Sequence, residues 1–144
     1  MGKLRTTLGV AAGSAGLLLA LPGIANAAPA PCGARADACI DLSANTTWLM
    51  DNGVVTYGGV PITSGKPGYE TPPGTFTVKY KDIDHWSKAY DAPMPYSVFF
   101  TRSGIAFHEG SLSQQSHGCI HLSPEAARTF YNTLQPGDVV QVVP

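Results

Sequence analysis

The sequence predicts a mainly β domain, sandwich-like in architecture, with one helix near its carboxyl end. Short stretches that alternate apolar with polar residues, or that are rich in β-branched and aromatic residues, recur between residues 38 and 143. The 16 Gly and 12 Pro residues supply turns between such strands. Only one segment has the three- and four-residue apolar spacing of a helix that packs on one face.

Length and composition exclude several classes of protein. A chain of 144 residues is predicted to hold one domain. With 44% hydrophobic and 13% charged residues, it is neither a disordered chain nor a coiled coil. The formal net charge of -1 leaves no broad basic surface, so we expect no nucleic-acid partner.

The amino-terminal residues are typical of a secretory signal peptide. Lys3 and Arg5 precede the uncharged, mostly apolar stretch 8–21, and the small residues of 25–27 resemble a cleavage site. An uncut membrane anchor is the alternative, but the stretch is shorter than the roughly 20 residues of a spanning helix. We therefore predict a signal peptide, an amino-terminal segment and one folded domain, at residues 1–27, 28–37 and 38–144.

The three cysteines become informative once export is assumed, because exported proteins meet an oxidising environment. Cys32 and Cys39 are close in sequence and are predicted to form a local disulfide that fixes the mature amino terminus. Cys119 is then the unpaired thiol. A disulfide between Cys119 and either of the other two cysteines is the alternative.

The first half of the folded domain is predicted to consist of strands and one hairpin. Residues 38–42 and 47–50 have strand patterns. The Asp-Asn-Gly sequence at 51–53 favours a tight hairpin turn. Residues 54–57 and 60–63 continue on the far side of this turn.

The middle of the chain combines loops with strands. Residues 64–74 are predicted to be a loop rich in Gly and Pro, followed by one strand at 75–81. Residues 82–95 are predicted to be irregular and able to cover a cleft. Residues 96–101 and 104–108 are predicted to pair as strands.

The predicted helix has clear signals at both ends. Ser123 suits the N-cap, Pro124 the first helical position and Glu125 the first turn. The sequence at 136–137, Pro-Gly, ends it, and the nearly continuous apolar run 139–143 is predicted to be a central strand. The apolar stripe of the helix comprises Ala127, Phe130 and Leu134.

A cluster of histidines around one cysteine carries the predicted chemistry. His108 stands at the end of a predicted strand, and His117 and His121 flank Cys119. A cysteine nucleophile needs a base and donors for an oxyanion, which imidazole and the main-chain amides around Gly118 and Cys119 supply. The start of the following helix would also favour a thiolate. Zinc held by Cys119 and the histidines is the alternative; we expect no metal, because most of these ligands come from one short segment.

The motif Ser-His-Gly-Cys at 116–119, with an upstream His108 on a strand, resembles the signature of the L,D-transpeptidase catalytic domain, the YkuD-like family. The overall character resembles that of small secreted actinobacterial members, and the likeness extends from residue 38 to residue 143. Further segments that resemble the family are Gly65, 71–76, 94–96, 105–108, the Ser-Pro helix start and 137–140.

The resemblance implies an enzyme that forms 3→3 cross-links in peptidoglycan and so serves cell-wall organisation and cell shape. Cys119 would attack the carbonyl of the third residue of a tetrapeptide stem, release D-Ala and form a thioester. An amine of a neighbouring stem would then accept the acyl group. Carbapenem-type β-lactams would acylate the same cysteine. No cofactor is implied, and we expect a monomer that is secreted or located at the cell wall.

The resemblance also implies roles for individual residues. His108 would be the base for the thiol and the acid for the leaving amine, oriented by the main-chain carbonyl of Glu109. The amides of His117, Gly118 and Cys119 would stabilise the oxyanion. His117 would also line the substrate site. The residues expected to contact substrate are Tyr96, Glu109, Ser116 and His121.

This chain departs from the family pattern at two places. His121 stands where the family often has Asn or Arg, and the segment from His108 to Cys119 is short for the family. Two alternatives to the transpeptidase stay open at this point. Water could replace the acceptor amine, which gives an L,D-carboxypeptidase, or the chain could be a wall-binding module whose cysteines are all structural.

Overall fold

The computed structural model describes residues 29–144, so the predicted signal peptide at 1–27 lies outside the described residues. In this part of the chain there are nine strands and one helix, and no helix is long and apolar enough to span a membrane. The elements are β1 (Ala38–Asp41), β2 (Thr46–Asp51), β3 (Val54–Pro61), β4 (Gly74–Thr77), β5 (Tyr80–Ser87), β6 (Ala92–Phe99), β7 (Ala106–Glu109), β8 (Ile120–Leu122), α1 (Pro124–Thr133) and β9 (Val139–Val143).

The strands form two sheets, which confirms the predicted mainly β fold. The first sheet has the order β3-β2-β1-β9-β4, with β1 and β9 parallel and the other pairs antiparallel. The second has the order β5-β6-β7-β8, with β7 and β8 parallel. The apolar strand β9 lies inside the first sheet, as predicted for a central strand.

One apolar core joins both sheets to the helix. Phe107 of β7 packs against Phe130 of α1, with ring centroids 5.0 Å apart, and Tyr57 of β3 contacts Phe130 from the first sheet. Both phenylalanines are fully buried, which contributes about 1.5–3 kcal/mol for each side chain. The helix therefore holds the second sheet, which carries the histidine cluster, against the first.

The local signals at the helix and at the hairpin of β2 and β3 act as predicted. The Oγ of Ser123 accepts a hydrogen bond from the main-chain N–H of Ala126 at 3.2 Å, and Pro124 occupies the first helical position. Asn52 and Gly53 both have positive φ, 49° and 80°, which is the pattern of the primed turn that suits a two-residue hairpin.

The predicted single strand at 75–81 is wrong, because the chain changes sheets within it. Strand β4 ends at Thr77 and β5 begins at Tyr80 in the other sheet. Between them, the N–H of Val78 bonds to the carbonyl of Asp138 and the N–H of Lys79 bonds to that of Phe99. The residue alternation continues across this corner, so periodicity alone does not reveal it.

The prediction of an irregular segment at 82–95 is also wrong. Strands β5 and β6 form a long hairpin whose turn is 88–91. Pro93 and Pro95 are accommodated in β6 because β7 pairs with this strand only at Val98 and Phe99. Near the prolines, β6 is paired on one side only, where a missing N–H donor costs little.

The amino-terminal end of the domain is fixed by a disulfide between Cys32 and Cys39, whose Cα atoms are 5.8 Å apart. The N–H of Gly33 also donates to the side-chain oxygen of Gln141 on β9 at 3.1 Å. Cys119, in contrast, is a free thiol.

Candidate active site

A cleft of about 610 Å³ opens beside the second sheet. One wall is the β5–β6 hairpin and the other consists of the ends of β7 and β8 with the loops around them. The hairpin therefore covers a cleft, as expected for this part of the chain. Aromatic, sulfur-containing and imidazole side chains face one another across it: Tyr80, Tyr90 and Met94 on the hairpin and His108, His117, Cys119 and His121 opposite.

The parallel register of β7 and β8 gathers the predicted reactive groups. Phe107 pairs with Ile120 and His108 pairs with His121. Because successive residues of a strand face opposite sides, Phe107 and Ile120 enter the core while both histidines face the cleft. Cys119, two residues before His121, faces the same side and lies just before β8.

The imidazole of His108 is oriented by its own main chain. It is 6% exposed, and its Nδ1 lies 2.7 Å from the carbonyl oxygen of Glu109. A carbonyl only accepts, so Nδ1 carries the hydrogen and Nε2 keeps its lone pair. Burial lowers the pKa of His108 to about 4, against the opposing effect of the Glu109 carbonyl. At neutral pH this histidine is uncharged and able to accept a proton.

The surroundings of Cys119 favour its protonated thiol. Its Sγ donates to the carbonyl oxygen of Gly104 at 3.8 Å and packs against an apolar cluster with Met94 and Ala106. Burial raises the pKa of the Cys119 thiol, and the nearby N–H of Ala106 only partly opposes this. The expectation that the start of α1 favours a thiolate is not supported, because strand β8 separates the cysteine from the helix and burial acts in the opposite direction.

The loop before Cys119 is shaped by Ser116. Its buried Oγ accepts a hydrogen bond from the N–H of Gly118 at 3.0 Å and donates to the carbonyl of Cys119 at 2.6 Å. Gly118 has φ of 125°, a conformation that requires glycine. The amide of Gly118 is thus occupied and is not an oxyanion donor here, which leaves the amides of His117 and Cys119. Ser116 borders the cleft, but its hydroxyl serves the loop instead of a substrate.

His117 lies at the mouth of the cleft, between two tyrosines. Its ring is stacked on that of Tyr90, with centroids 3.8 Å apart, and meets the ring of Tyr69 edge-on at 4.9 Å. Sequence reasoning assigned no role to either tyrosine. Both come from segments far from the motif, so no local pattern links them to it.

His121 and Glu109 both border the cleft. The Nδ1–H of His121 donates to the carbonyl of Ser111 at 2.9 Å and lies 3.0 Å from the hydroxyl oxygen of Thr63. Burial lowers the pKa of His121, and its ring meets that of His108 edge-on at 4.8 Å. The cleft therefore contains a second imidazole whose uncharged form burial favours, beside that of His108.

Tyr96 does not reach the cleft, so the predicted contact of this residue with a donor stem is not supported. Its ring packs against Tyr131 of α1, with centroids 5.8 Å apart. The backbone at Tyr96 has φ of 57°, which interrupts the alternation of β6. Met94 consequently faces the cleft while Tyr96, two residues later, faces the helix.

No three His, Cys, Asp or Glu side chains within residues 29–144 are gathered so that they could hold a metal ion. The polar groups of the cleft instead form hydrogen bonds with the main chain, as described for His108, Ser116 and His121.

The family model described as YkuD, L,D-transpeptidase catalytic domain, matches residues 35–142. Among curated proteins, L,D-transpeptidase 1 of Mycobacterium tuberculosis is 32% identical over 121 residues, which are 71% of this chain and 48% of that protein. Probable L,D-transpeptidase 3 of the same species is 34% identical over 104 residues, 59% of this chain and 38% of that one. The chain thus spans less than half the length of these two relatives.

Solved structures of L,D-transpeptidases share the architecture. An L,D-transpeptidase from Stackebrandtia nassauensis has a TM-score of 0.72 and 31% identity, covering 78% of this chain and 58% of that one. The LD transpeptidase LdtMt1 in complex with imipenem has a TM-score of 0.68 and 29% identity, with coverages of 72% and 56%. L,D-transpeptidase 3 from M. tuberculosis with a faropenem-derived adduct has a TM-score of 0.65 and 26% identity, with coverages of 73% and 58%.

Proposed function

This chain belongs to the YkuD family of L,D-transpeptidase catalytic domains, and from that membership we propose that it is an exported L,D-transpeptidase acting on peptidoglycan stem peptides. One observation carries the proposal: the free thiol of Cys119 and the imidazole of His108 line the same cleft. Cys119 lies just before β8 and His108 lies on the neighbouring strand β7, with the lone pair of its Nε2 available. A module whose cysteines are all structural has no need of such a pair.

The first half-reaction transfers the stem to the enzyme. His108 Nε2 accepts the thiol proton as Sγ attacks the carbonyl carbon of the third stem residue. The amides of His117 and Cys119 bind the resulting oxyanion. When the intermediate collapses, the C–N bond to the terminal D-Ala breaks, and His108 donates its proton to the leaving amine. The product is a thioester on Cys119.

The second half-reaction returns the enzyme to its starting state. An amine on the third residue of a neighbouring stem attacks the thioester carbonyl and gives its proton to His108. The C–S bond then breaks, the thiol is protonated again, and a 3→3 cross-link is formed. If water attacks instead, the same steps release a tripeptide, and the enzyme is an L,D-carboxypeptidase.

A β-lactam tests the nucleophile directly. The solved relatives with imipenem and with a faropenem-derived adduct support this choice of probe. Wild-type protein should gain the mass of one imipenem, and Cys119→Ala should gain none. His108→Ala should fold normally and acylate at least about a hundred-fold more slowly. An adduct on Cys119→Ala, or near-normal acylation of His108→Ala, would contradict the assigned roles.

Product analysis separates the two catalytic outcomes. Purified tetrapeptide stems incubated with the enzyme should yield cross-linked dimer and free D-Ala. Tripeptide without dimer would establish the carboxypeptidase instead. Neither product, together with no β-lactam adduct, would favour the wall-binding module.

The place of action is inferred from the amino-terminal residues. The signal-like pattern at 1–27 and the Cys32–Cys39 disulfide support secretion to the cell wall, since disulfides persist outside the cytoplasm. The intact mass of protein recovered from the culture medium or the wall should correspond to a chain that begins at Ala28. Retention of the full-length mass in the membrane would indicate an anchor.

A further inference from the structure

We propose that Thr71, in the Gly- and Pro-rich loop, is a positioning residue that aims the main-chain N–H of Cys119 at the oxyanion. It acts through the carbonyl group of Gly118 and does not touch substrate. The inference rests on the proposed function, because it assigns a part of the machinery for acylating Cys119.

Thr71 holds the peptide that joins Gly118 to Cys119. Its side chain is 2% exposed, and its Oγ donates its single hydrogen to the carbonyl of Gly118 at 2.6 Å. The same oxygen accepts a hydrogen bond from the N–H of Gly65 at 3.1 Å. The hydroxyl therefore has a donor and an acceptor partner, and its direction is set by both.

The direction of one peptide group links this contact to the chemistry. In a trans peptide the C=O and N–H point in opposite directions. Because the Gly118 carbonyl points at Thr71, the N–H of Cys119 points away from Thr71, which belongs to residues 64–74. None of those residues lines the cleft in the described part of the chain, whereas Cys119 and His117 do. The N–H of Cys119 is thus turned to the side where a carbonyl under attack would lie.

The conformation of Gly118 explains why the hydrogen bond from Thr71 is needed. Its φ of 125° allows the sharp bend before Cys119, but a residue without a β-carbon leaves the next peptide plane free to rotate. The bond from Thr71 holds this peptide plane directly, whereas Ser116 holds the peptide groups on either side of it. An oxyanion donor acts only when it is held in place before the reaction, so its orientation contributes to the rate.

The loop that carries Thr71 is itself firmly attached. The N–H of Lys66 donates to the carbonyl of Ser116 at 2.9 Å, and the N–H of Ser116 donates to the carbonyl of Ser64 at 3.0 Å. At Gly65 a β-carbon would collide with the carbonyl of Tyr69, so only glycine permits this close approach. The backbone that carries Thr71 is therefore held in place.

The test compares two reactions of the same thiol. Acylation by imipenem forms an oxyanion, whereas alkylation by iodoacetamide displaces iodide and forms none. Thr71→Val keeps the shape of the side chain and removes the hydroxyl. This variant should lower the acylation rate constant at saturating imipenem by about ten- to a hundred-fold. The expected loss is smaller than the reduction in catalytic rate of about a hundred- to a thousand-fold that follows complete removal of an oxyanion donor. The alkylation rate should stay within about two-fold of wild type.

Two further variants control for folding and for the hydroxyl. Thr71→Ser should restore acylation to within about three-fold. Thr47 of β2, in the first sheet, is as buried as Thr71, and its Oγ donates to the carbonyl of Cys39 at 2.6 Å. Thr47→Val should lose similar stability, on the order of 1 kcal/mol for a buried hydrogen bond, and keep both rates.

The outcomes are distinct. Full-rate acylation of Thr71→Val, or an equal loss of acylation and alkylation, would overturn the positioning role. If Thr71→Val does not fold, the test depends on Thr71→Ser, which keeps the hydroxyl. The proposal is contradicted if this variant is acylated more than about ten-fold more slowly than wild type while its alkylation rate is normal. If wild-type Cys119 takes up no imipenem, the proposed function itself has failed.

Discussion

The imidazole ring of His117 lies flat on the phenol ring of Tyr90, with 3.8 Å between centroids and 8° between planes. His117 belongs to the loop that leads to Cys119, and Tyr90 belongs to the turn of the β5–β6 hairpin. The stack therefore joins the two walls of the cleft at its mouth. Tyr69 supports the same imidazole edge-on.

Removing this stack should loosen the hairpin turn. An aromatic pair contributes about 0.5–1.5 kcal/mol beyond buried area, so Tyr90→Ala should speed amide hydrogen exchange at 88–91 by about two- to ten-fold. Tyr90→Phe keeps the ring and should leave exchange near the wild-type rate. Unchanged exchange in Tyr90→Ala would mean that the stack does not hold the turn.

Local signals predicted much of the fold, while long-range pairing accounts for the errors. The turn at Asn52-Gly53 and the cap at Ser123 depend on residues within a few positions of one another. The break after Thr77 depends on a bond between Val78 and Asp138, which lie far apart in sequence. A residue pattern predicts a strand but does not state which sheet receives it.

The residues of the candidate site show the same contrast between local signals and long-range contacts. Cys119, His108 and His121 were found because they lie close together in sequence and match a known motif. The structure brings them together through the parallel pairing of β7 and β8. Thr71 reaches Gly118 across 47 positions, and no local spacing reveals that contact. The substrate contact expected of Tyr96 came from the family resemblance, whereas the positive φ of this residue accompanies a side chain that packs on the core side of β6.

The resting state of Cys119 should appear in the pH dependence of its reactions. Burial raises the pKa of this thiol, so alkylation by iodoacetamide should keep rising with pH beyond the ordinary cysteine value near 8.5. Acylation by imipenem uses neutral His108 as the base, and it should fall only as pH approaches about 4. An alkylation rate that is constant between about pH 5 and 8 would instead indicate a thiolate–imidazolium pair.

Gly110 should be intolerant of a side chain because His121 occupies the space beside it. A β-carbon at Gly110 would lie 2.5 Å from Cδ2 and 2.7 Å from Cγ of that ring. The ring is held by Ser111, so it moves only by giving up this hydrogen bond. Gly110→Ala should lower the free energy of unfolding by about 1–3 kcal/mol in urea titrations.

Gly33 offers a matched control for that substitution. A β-carbon there has no atom within 4 Å among the described residues. Gly33→Ala should leave the free energy of unfolding within about 0.5 kcal/mol of wild type. Equal values for the two alanine variants would show that the contact with His121 is not restrictive.

His108 should make the protein less stable in mild acid. In the unfolded chain its pKa returns to about 6.5, whereas the folded protein keeps it at about 4 because the ring is buried. Between these values the unfolded state binds more protons, so the free energy of unfolding falls as pH decreases from about 6.5 to about 4, by up to roughly 3 kcal/mol. His108→Gln removes the titrating group and should flatten most of this slope, with a smaller remainder from His121, whose pKa burial also lowers. Urea titrations of both proteins at several pH values measure the difference, and parallel curves would show that the burial of His108 is not linked to stability.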